Sequence, residues 1–380
     1  MSIKTKWFIL IIGLWVCSCV EPFEMSFPQG KKILTVDATI TDVDEEQIFT
    51  ITESESRNSV VYSFPVRQAK VEVIVNKTER ILLTEKTPGI YVLPRSFKVI
   101  VGNTYQLFFE KSDGTKYQSG EEVMTSVAEI DRVYDEFRME GQNTEVGYDP
   151  ASYVYLDTTD PANEKNNYVW TWRLWEKQII CKSCVGGRYF TSPPPLGQCV
   201  SEEKYKDVPY FDYACDGKCW DIFYNTTINV FSDIYSNGKT IKDRLIAKIP
   251  YYSSEGALLE IKQQSVTPSA YRYLKLLADQ GQNTGSLVDT PPTAVIGNIR
   301  NLADSGEEVA GFFRVSGVRT FKYWLDRASA RETKAIPTGI IGHQIYYEPN
   351  SLPPDPPRPP MAPCVPGKYR TNVRPQGWIE

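Results

Sequence analysis

From Ile33 to about Gly120 the chain alternates apolar and polar residues with a period of two, and no other feature restricts the fold so strongly. Leu34, Val36, Ala38 and Ile40 share one face of an extended segment. Ala69, Val71, Val73 and Val75 share another, and Tyr105, Leu107 and Phe109 a third. Side chains on a strand point to opposite faces in turn, so each run reads as a half-buried strand. Turn signals separate the runs at Pro88-Gly89, Gly102-Asn103 and Asp113-Gly114, where glycine and asparagine accept the positive φ that tight turns need. Roughly seven strands in about 90 residues predict a small β-sandwich, Ig-like or prealbumin-like, over 33–126.

The pattern stays β-rich through a larger region at 127–350, whose first stretch, Val127 to Phe137, reads as a link. With 23 Tyr, 16 Phe and 8 Trp against 5 Met, the chain favours side chains that pack on pleated surfaces. In Tyr168-Val169-Trp170-Thr171-Trp172-Arg173-Leu174-Trp175, alternation puts Tyr168, Trp170 and Trp172 on one side of a strand and Trp175 on the other. Those three rings are candidate ligand-contact aromatics for a sugar or peptide, although alternating aromatics more often pack between sheets. One helix is predicted after the cap Thr267-Pro268, with Tyr271, Leu274, Leu277 and Ala278 at helical spacing up to Gly281. The fold class is therefore mainly β, two β-rich units with one or two helices.

Six cysteines follow residue 180: Cys181, Cys184, Cys199, Cys215, Cys219 and Cys364. Five fall in the Gly- and Pro-rich insert 181–219, which has little core of its own and is expected to depend on cross-links. An even count in an exported chain reads first as disulfides, in pairings that sequence alone does not choose. Cys181-x2-Cys184 with Cys215-x3-Cys219 also has a spacing tolerable for zinc, but thiolates in an oxidising compartment are usually oxidised, so no metal and no cofactor is expected. From Pro353 to Pro366 eight of fourteen residues are proline, which makes 351–380 an extended tail. A Cys364 disulfide back to the insert would pin that tail.

Export is written at the start. Lys4 and Lys6 precede the apolar run Trp7 to Val16, about half the roughly 20 residues of a membrane span. Val16-Cys17-Ser18-Cys19 follows, so 1–18 reads as a lipoprotein signal peptide with Cys19 as the lipidated first mature residue, and 19–32 as the anchor linker. Ser18 suits a peptidase that requires a small side chain, whereas Trp15-Val16 argues against Cys17. The membrane partner is thus a lipid anchor.

Several function classes are disfavoured. Net charge is −5 without a long basic run, so nucleic acid is not an expected partner. The single histidine, His343, would have to serve any Ser-His-Asp arrangement alone, and no nucleophile elbow or phosphate loop accompanies it. No catalytic residue is expected, although a carboxylate pair hidden among 47 Asp and Glu would allow a surface hydrolase acting on glycan or peptide. A structural or adhesive surface protein is a further alternative. The acidic run Asp42 to Glu46 lacks calcium-loop spacing and reads as a solvated turn.

Cys19-Val20-Glu21-Pro22-Phe23, Leu34-Thr35-Val36-Asp37-Ala38-Thr39-Ile40-Thr41, Tyr271-Arg272-Tyr273-Leu274, Gly285-Ser286-Leu287-Val288-Asp289-Thr290-Pro291-Pro292, Gly297-Asn298-Ile299, Gly311-Phe312-Phe313 and Arg374-Pro375-Gln376-Gly377-Trp378 together resemble the Bacteroidota outer-membrane lipoproteins known as domain of unknown function 4249. The resemblance implies a non-enzymatic accessory lipoprotein of the outer membrane, exposed at the cell surface in keeping with the acidic Glu21 and Glu24 that follow Cys19, whose partner is a TonB-dependent receptor for nutrient uptake. Of its residues only Cys19, the acylation site, carries over, and the insert 181–219 is longer than usual for such proteins.

Overall fold

The structure, a computed structural model, describes residues 32–57, 60–145, 147–162, 164–191, 197–281, 295–349 and 359–380. The signal segment, Cys19, residues 285–292 and the 351–358 part of the proline tract lie outside these. Strands take 52% of the described residues and helices 8%, without a closed barrel among them, which makes the fold mainly β as the alternation predicts.

Ten strands come first: β1 (Lys32–Thr41), β2 (Ile48–Arg57), β3 (Val60–Pro65), β4 (Lys70–Val75), β5 (Glu79–Leu82), β6 (Thr84–Thr87), β7 (Ile90–Val92), β8 (Thr104–Glu110), β9 (Lys116–Ser119) and β10 (Glu122–Val123). One sheet joins β1, β2, β7 and β6, with β3 on the other half of β2; a second joins β9, β8, β4 and β5, with β10 on β8. Val36, Ala38, Phe49 and Ile51 from the first sheet meet Val71, Val73, Leu107 and Phe109 from the second in one core. The predicted faces are those buried.

Next, β11 (Ile130–Thr144), β12 (Gly147–Thr159) and β13 (Asn167–Lys177) open the second unit, and β14 (Ile180–Cys184), β15 (Gly187–Phe190), β16 (Gln198–Ser201) and β17 (Phe211–Ala214) form the insert. The chain returns through β18 (Trp220–Tyr224), β19 (Asn229–Ser232), β20 (Thr240–Pro250), β21 (Ala257–Ser265) and helix α1 (Pro268–Gly281). It ends with β22 (Ile299–Asn301), β23 (Val309–Ser316), β24 (Val318–Leu325), α2 (Ala328–Glu332) and β25 (Arg370–Thr371). A sheet β11-β12-β20 faces the sheet β24-β21-β13-β18-β25 across Val154, Leu156, Ile249, Trp170, Leu174 and Ile261. Helix α1 starts where predicted, with the Ala270 N–H donating to Thr267 Oγ1 at 3.3 Å, and seats Ala270 on Val169 and Val266.

The sequence-based boundary at residue 127 needs one correction. Residues 33–126 do not complete the first sandwich; β23 lies parallel to β1, from Leu34↔Val309 to Thr41↔Ser316, and β22 pairs with β9. Phe313 and Val315 are fully buried in that sandwich's core. Their own period-two spacing marks a strand, but a parallel partner reached by a crossover from Thr41 to Val309 leaves no local signal. Gly311 permits the approach: its φ is +99°, and a Cβ there would sit 1.9 Å from the Val36 carbonyl oxygen.

Candidate functional site

Strand β13 divides its aromatics between two environments. Tyr168 and Trp170 are buried in the second core, their rings 5.8 Å apart, so the predicted ring platform is corrected to a packed interior. Their polar atoms are satisfied there. The Tyr168 hydroxyl donates to Asp160 Oδ1 at 2.5 Å and the Trp170 indole N–H to Gln263 Oε1 at 2.8 Å, and burial beside Asp160 pushes the Tyr168 phenol well above its ordinary pKa. Trp172 is half-buried and still borders an opening, so of the three rings it alone keeps a partly accessible position.

The opposite face of the same sheet builds a cleft of about 810 Å³. Strand registers align Trp175 with Leu258 and Leu258 with Trp324, while Lys177 stands opposite Trp220. Directly opposed residues share a face, so these side chains form one surface. The C-terminal segment then folds back over it: β25 pairs with β18, Trp378 N–H donates to Pro375 O at 3.1 Å, and Arg374 donates to Trp378 O at 2.8 Å. This turn sets the Trp378 ring edge-on to Trp220 at 5.7 Å and to Trp324 at 5.1 Å. The Trp220 indole N–H is buried and unpaired, a donor left for a group inside the cleft.

Charged residues ring the mouth in opposite-sign pairs, Lys177 with Glu255 at 3.0 Å and Lys218 with Glu380. The lining is therefore apolar at its floor and near-neutral at its rim. One wall depends on Gly256, whose hypothetical Cβ would lie 2.3 Å from the Trp324 ring. Beneath it the loop at 253–255 is held by Arg327, whose guanidinium donates to Ser253 O at 2.8 Å and Glu255 O at 3.1 Å and pairs with Glu176, both side chains being 1% exposed. Burial pushes the Glu176 carboxyl up to about 7, against the opposing pull of Arg327.

The other wall is cross-linked. Cys181 bonds Cys215, Cys184 bonds Cys199 and Cys219 bonds Cys364, so all six candidate cysteines are paired and Cys364 does tie the tail to the insert. The Sγ atoms of Cys181, Cys215 and Cys219 lie within 4.8 Å of one another, but the thiolates a zinc ion would take are committed to sulfur–sulfur bonds. Cys215 and Cys219 line the cleft directly.

His343 lies elsewhere, against the insert. Its Nε2 is 3.1 Å from Asp212 Oδ1, and the Ser183 hydroxyl donates to that same carboxylate at 2.5 Å. Serine and histidine thus both address the aspartate rather than each other, which is not the geometry of an activated nucleophile. The other carboxyls that burial raises, Glu122, Asp135 and Asp233, are hydrogen-bonded to Thr267, Tyr323 and the Asn166 N–H respectively, and none lines the Trp cleft. Asp44, Glu45 and Glu46 pair with Lys98, Lys262 and Lys86 at a surface turn. Trp220, Trp324 and Trp378 are not singled out by sequence spacing, since two strands and the tail contribute them; the Gly377-Trp378 pair in the tail is the one available pointer.

Chemically, this cleft can hold a neutral or zwitterionic body against indole rings, with a buried N–H donor for orientation. The family model described as Domain of unknown function (DUF4249) matches residues 20–322. That span covers the first sandwich, the insert and the second sandwich as far as β24, within which it ends, and stops before the tail that supplies Trp378. No curated protein and no solved structure matches the chain.

Proposed function

The chain belongs to the DUF4249 family, and on that footing we propose that it is a lipid-anchored accessory protein of the outer membrane, serving a TonB-dependent uptake system and presenting the Trp cleft to the transported solute. The observation that carries this reading is the pairing of all six downstream cysteines into three disulfides behind the lipobox at Cys19. Such cross-links form and persist in oxidising compartments, which supports export, and one acylated cysteine is the anchor that an exported chain with this start would carry. No helix among the described residues is long and apolar enough to cross a membrane.

Receptor contact is supported by an uncovered strand edge. Val60, Val61, Tyr62 and Phe64 on β3 are all exposed, although natural edge strands are usually short, charged or covered. Register places Tyr62 opposite Glu55, which is opposite Lys32, so this edge stands two strands from where the anchor segment enters β1. The test is co-purification of the anchored protein from detergent-solubilised envelopes. A TonB-dependent receptor should be recovered, and Val61→Glu with Tyr62→Glu should reduce recovery; a Cys19→Ser protein that still takes up palmitate would refute the anchor.

A further inference from the structure

A second cleft, of about 540 Å³, opens between β19, β20 and α1 on the opposite side of β13 from the Trp cleft. Trp172 forms part of its wall, Thr227 contributes to its lining, and Arg244, Lys248, Lys275 and Asp279 supply its charges. Lys275 and Asp279 pair with each other. Among the described residues Arg244 and Lys248 have no carboxylate within ion-pair distance; Lys248 instead lies 5.0 Å from the Tyr153 ring centre.

Arg244 is the unusual member. Its guanidinium stacks 5.1 Å from the Trp170 ring centre and 5.4 Å from Phe231, and donates to Asn229 Oδ1 and, at 3.0 Å, to Val230 O. Its Nε–H is buried without an acceptor. Burial lowers its affinity for its proton, against a smaller opposing pull from the Tyr271 phenol and with no carboxylate to compensate. A half-buried cation without a counter-charge is costly to keep, whereas a bidentate anion in the cleft would satisfy it, since the planar guanidinium matches a carboxylate. Trp172 and Trp170 are two residues apart on one strand face, about 7 Å, so an apolar body attached to that carboxylate would meet the accessible Trp172 ring.

We propose that this cleft binds small organic carboxylates with a flat apolar body, the acid group on Arg244 and the body against Trp172. The site stands on its own geometry and does not depend on the transport reading. Titration calorimetry of the purified mature protein with indole-3-acetate and with its neutral isostere indole-3-acetamide tests it. The acid should bind at least tenfold more tightly than the amide. Arg244→Gln should erase that preference while leaving the far-ultraviolet circular dichroism unchanged. Lys218→Gln, in the other cleft, should leave it intact. Equal affinity for acid and amide in the unaltered protein, or no binding of the acid at millimolar concentration, would overturn the proposal whether or not any variant folds.

Discussion

The first sandwich and the cysteine insert are both made of short strands, yet they hold together by different means. The sandwich gathers 22 buried apolar residues into one core, whereas the insert's cluster has five, Cys184, Tyr189, Phe211 and Tyr213 from the insert and Ala362 from the tail. A core of five side chains offsets little of the entropy of ordering some forty residues at about 1–2 kcal/mol each. Covalent closure supplies the difference by restricting the unfolded chain. With separations of 15, 34 and 145 residues, the chain-entropy relation gives about 3, 4 and 5 kcal/mol for the three bonds taken singly. The cross-linked region is also where the larger cleft lies, so geometry there is fixed by bonds where packing is thin.

The largest effect should come from breaking the longest closure. Cys219→Ser with Cys364→Ser should cost about 5 kcal/mol in the stability of the insert and tail and release Trp378 from Trp220, read as altered near-ultraviolet circular dichroism. Limited proteolysis should then cut within 181–219 while the strands of 33–123 remain protected; equal protection of both regions would break the contrast. The sandwich should instead fail through its core. Phe313 is fully buried, 6.1 Å from Phe49, and arrives on the crossover strand β23. Phe313→Ala should cost about 3–5 kcal/mol in urea denaturation, indifferent to reductant. Destabilisation of the region 33–123 by that substitution would also show that β23 belongs to the N-terminal fold.

A comparable effect with a pH signature is expected in the second unit, at Arg327. The Glu176 carboxyl is raised in the folded state, to about 7 from an ordinary 4.5. The folded state therefore holds the proton more tightly, and the associated stability is present below about pH 4.5 and lost as pH rises through about 7. Arg327→Met leaves that carboxylate buried and unpaired, at a cost of about 3–5 kcal/mol near pH 8. Protonation should shrink the deficit at pH 5. A deficit that is the same at both values would mean that Glu176 is not the group left orphaned.

How much of this was legible depended on whether the signal was local. Leu34, Val36, Val71, Val73, Leu107 and Phe109 carry their burial in their spacing, because a strand exposes one face to the core regardless of its partner. The Thr267 cap and Gly281 stop of α1 were equally local. Parallel pairing of β23 with β1 was not, since its partner lies at the other end of the chain. Tyr168 and Trp170 show the converse: alternation gave the shared face, but a face toward a ligand and a face toward a second sheet have the same spacing. The six cysteines announced cross-links, while the pairing followed from tertiary proximity. Trp220, Trp324 and Trp378 converge only after β18, β24 and the tail are placed on one sheet face.

The smallest effect sharpens the comparison inside the cleft itself. At Gly256 an added Cβ would meet Trp324 Cζ2 at 2.3 Å and Cε2 at 2.7 Å, and a rigid indole cannot yield as a flexible chain end would. Gly256→Ala should therefore cost about 1–3 kcal/mol by overpacking and displace Trp324. The Cys219–Cys364 bond lies on the opposite wall and keeps Trp220 and Trp378 in place, so the tail should retain its protection from proteolysis while the tryptophan circular dichroism changes. In the sandwich, where no bond isolates one side chain from the next, a comparable methyl at Ala38 should be felt as loss of the whole unit. If Gly256→Ala instead frees the tail, packing of Trp324 rather than the disulfide is what closes the cleft, and the division between bonded and packed regions fails where it was drawn.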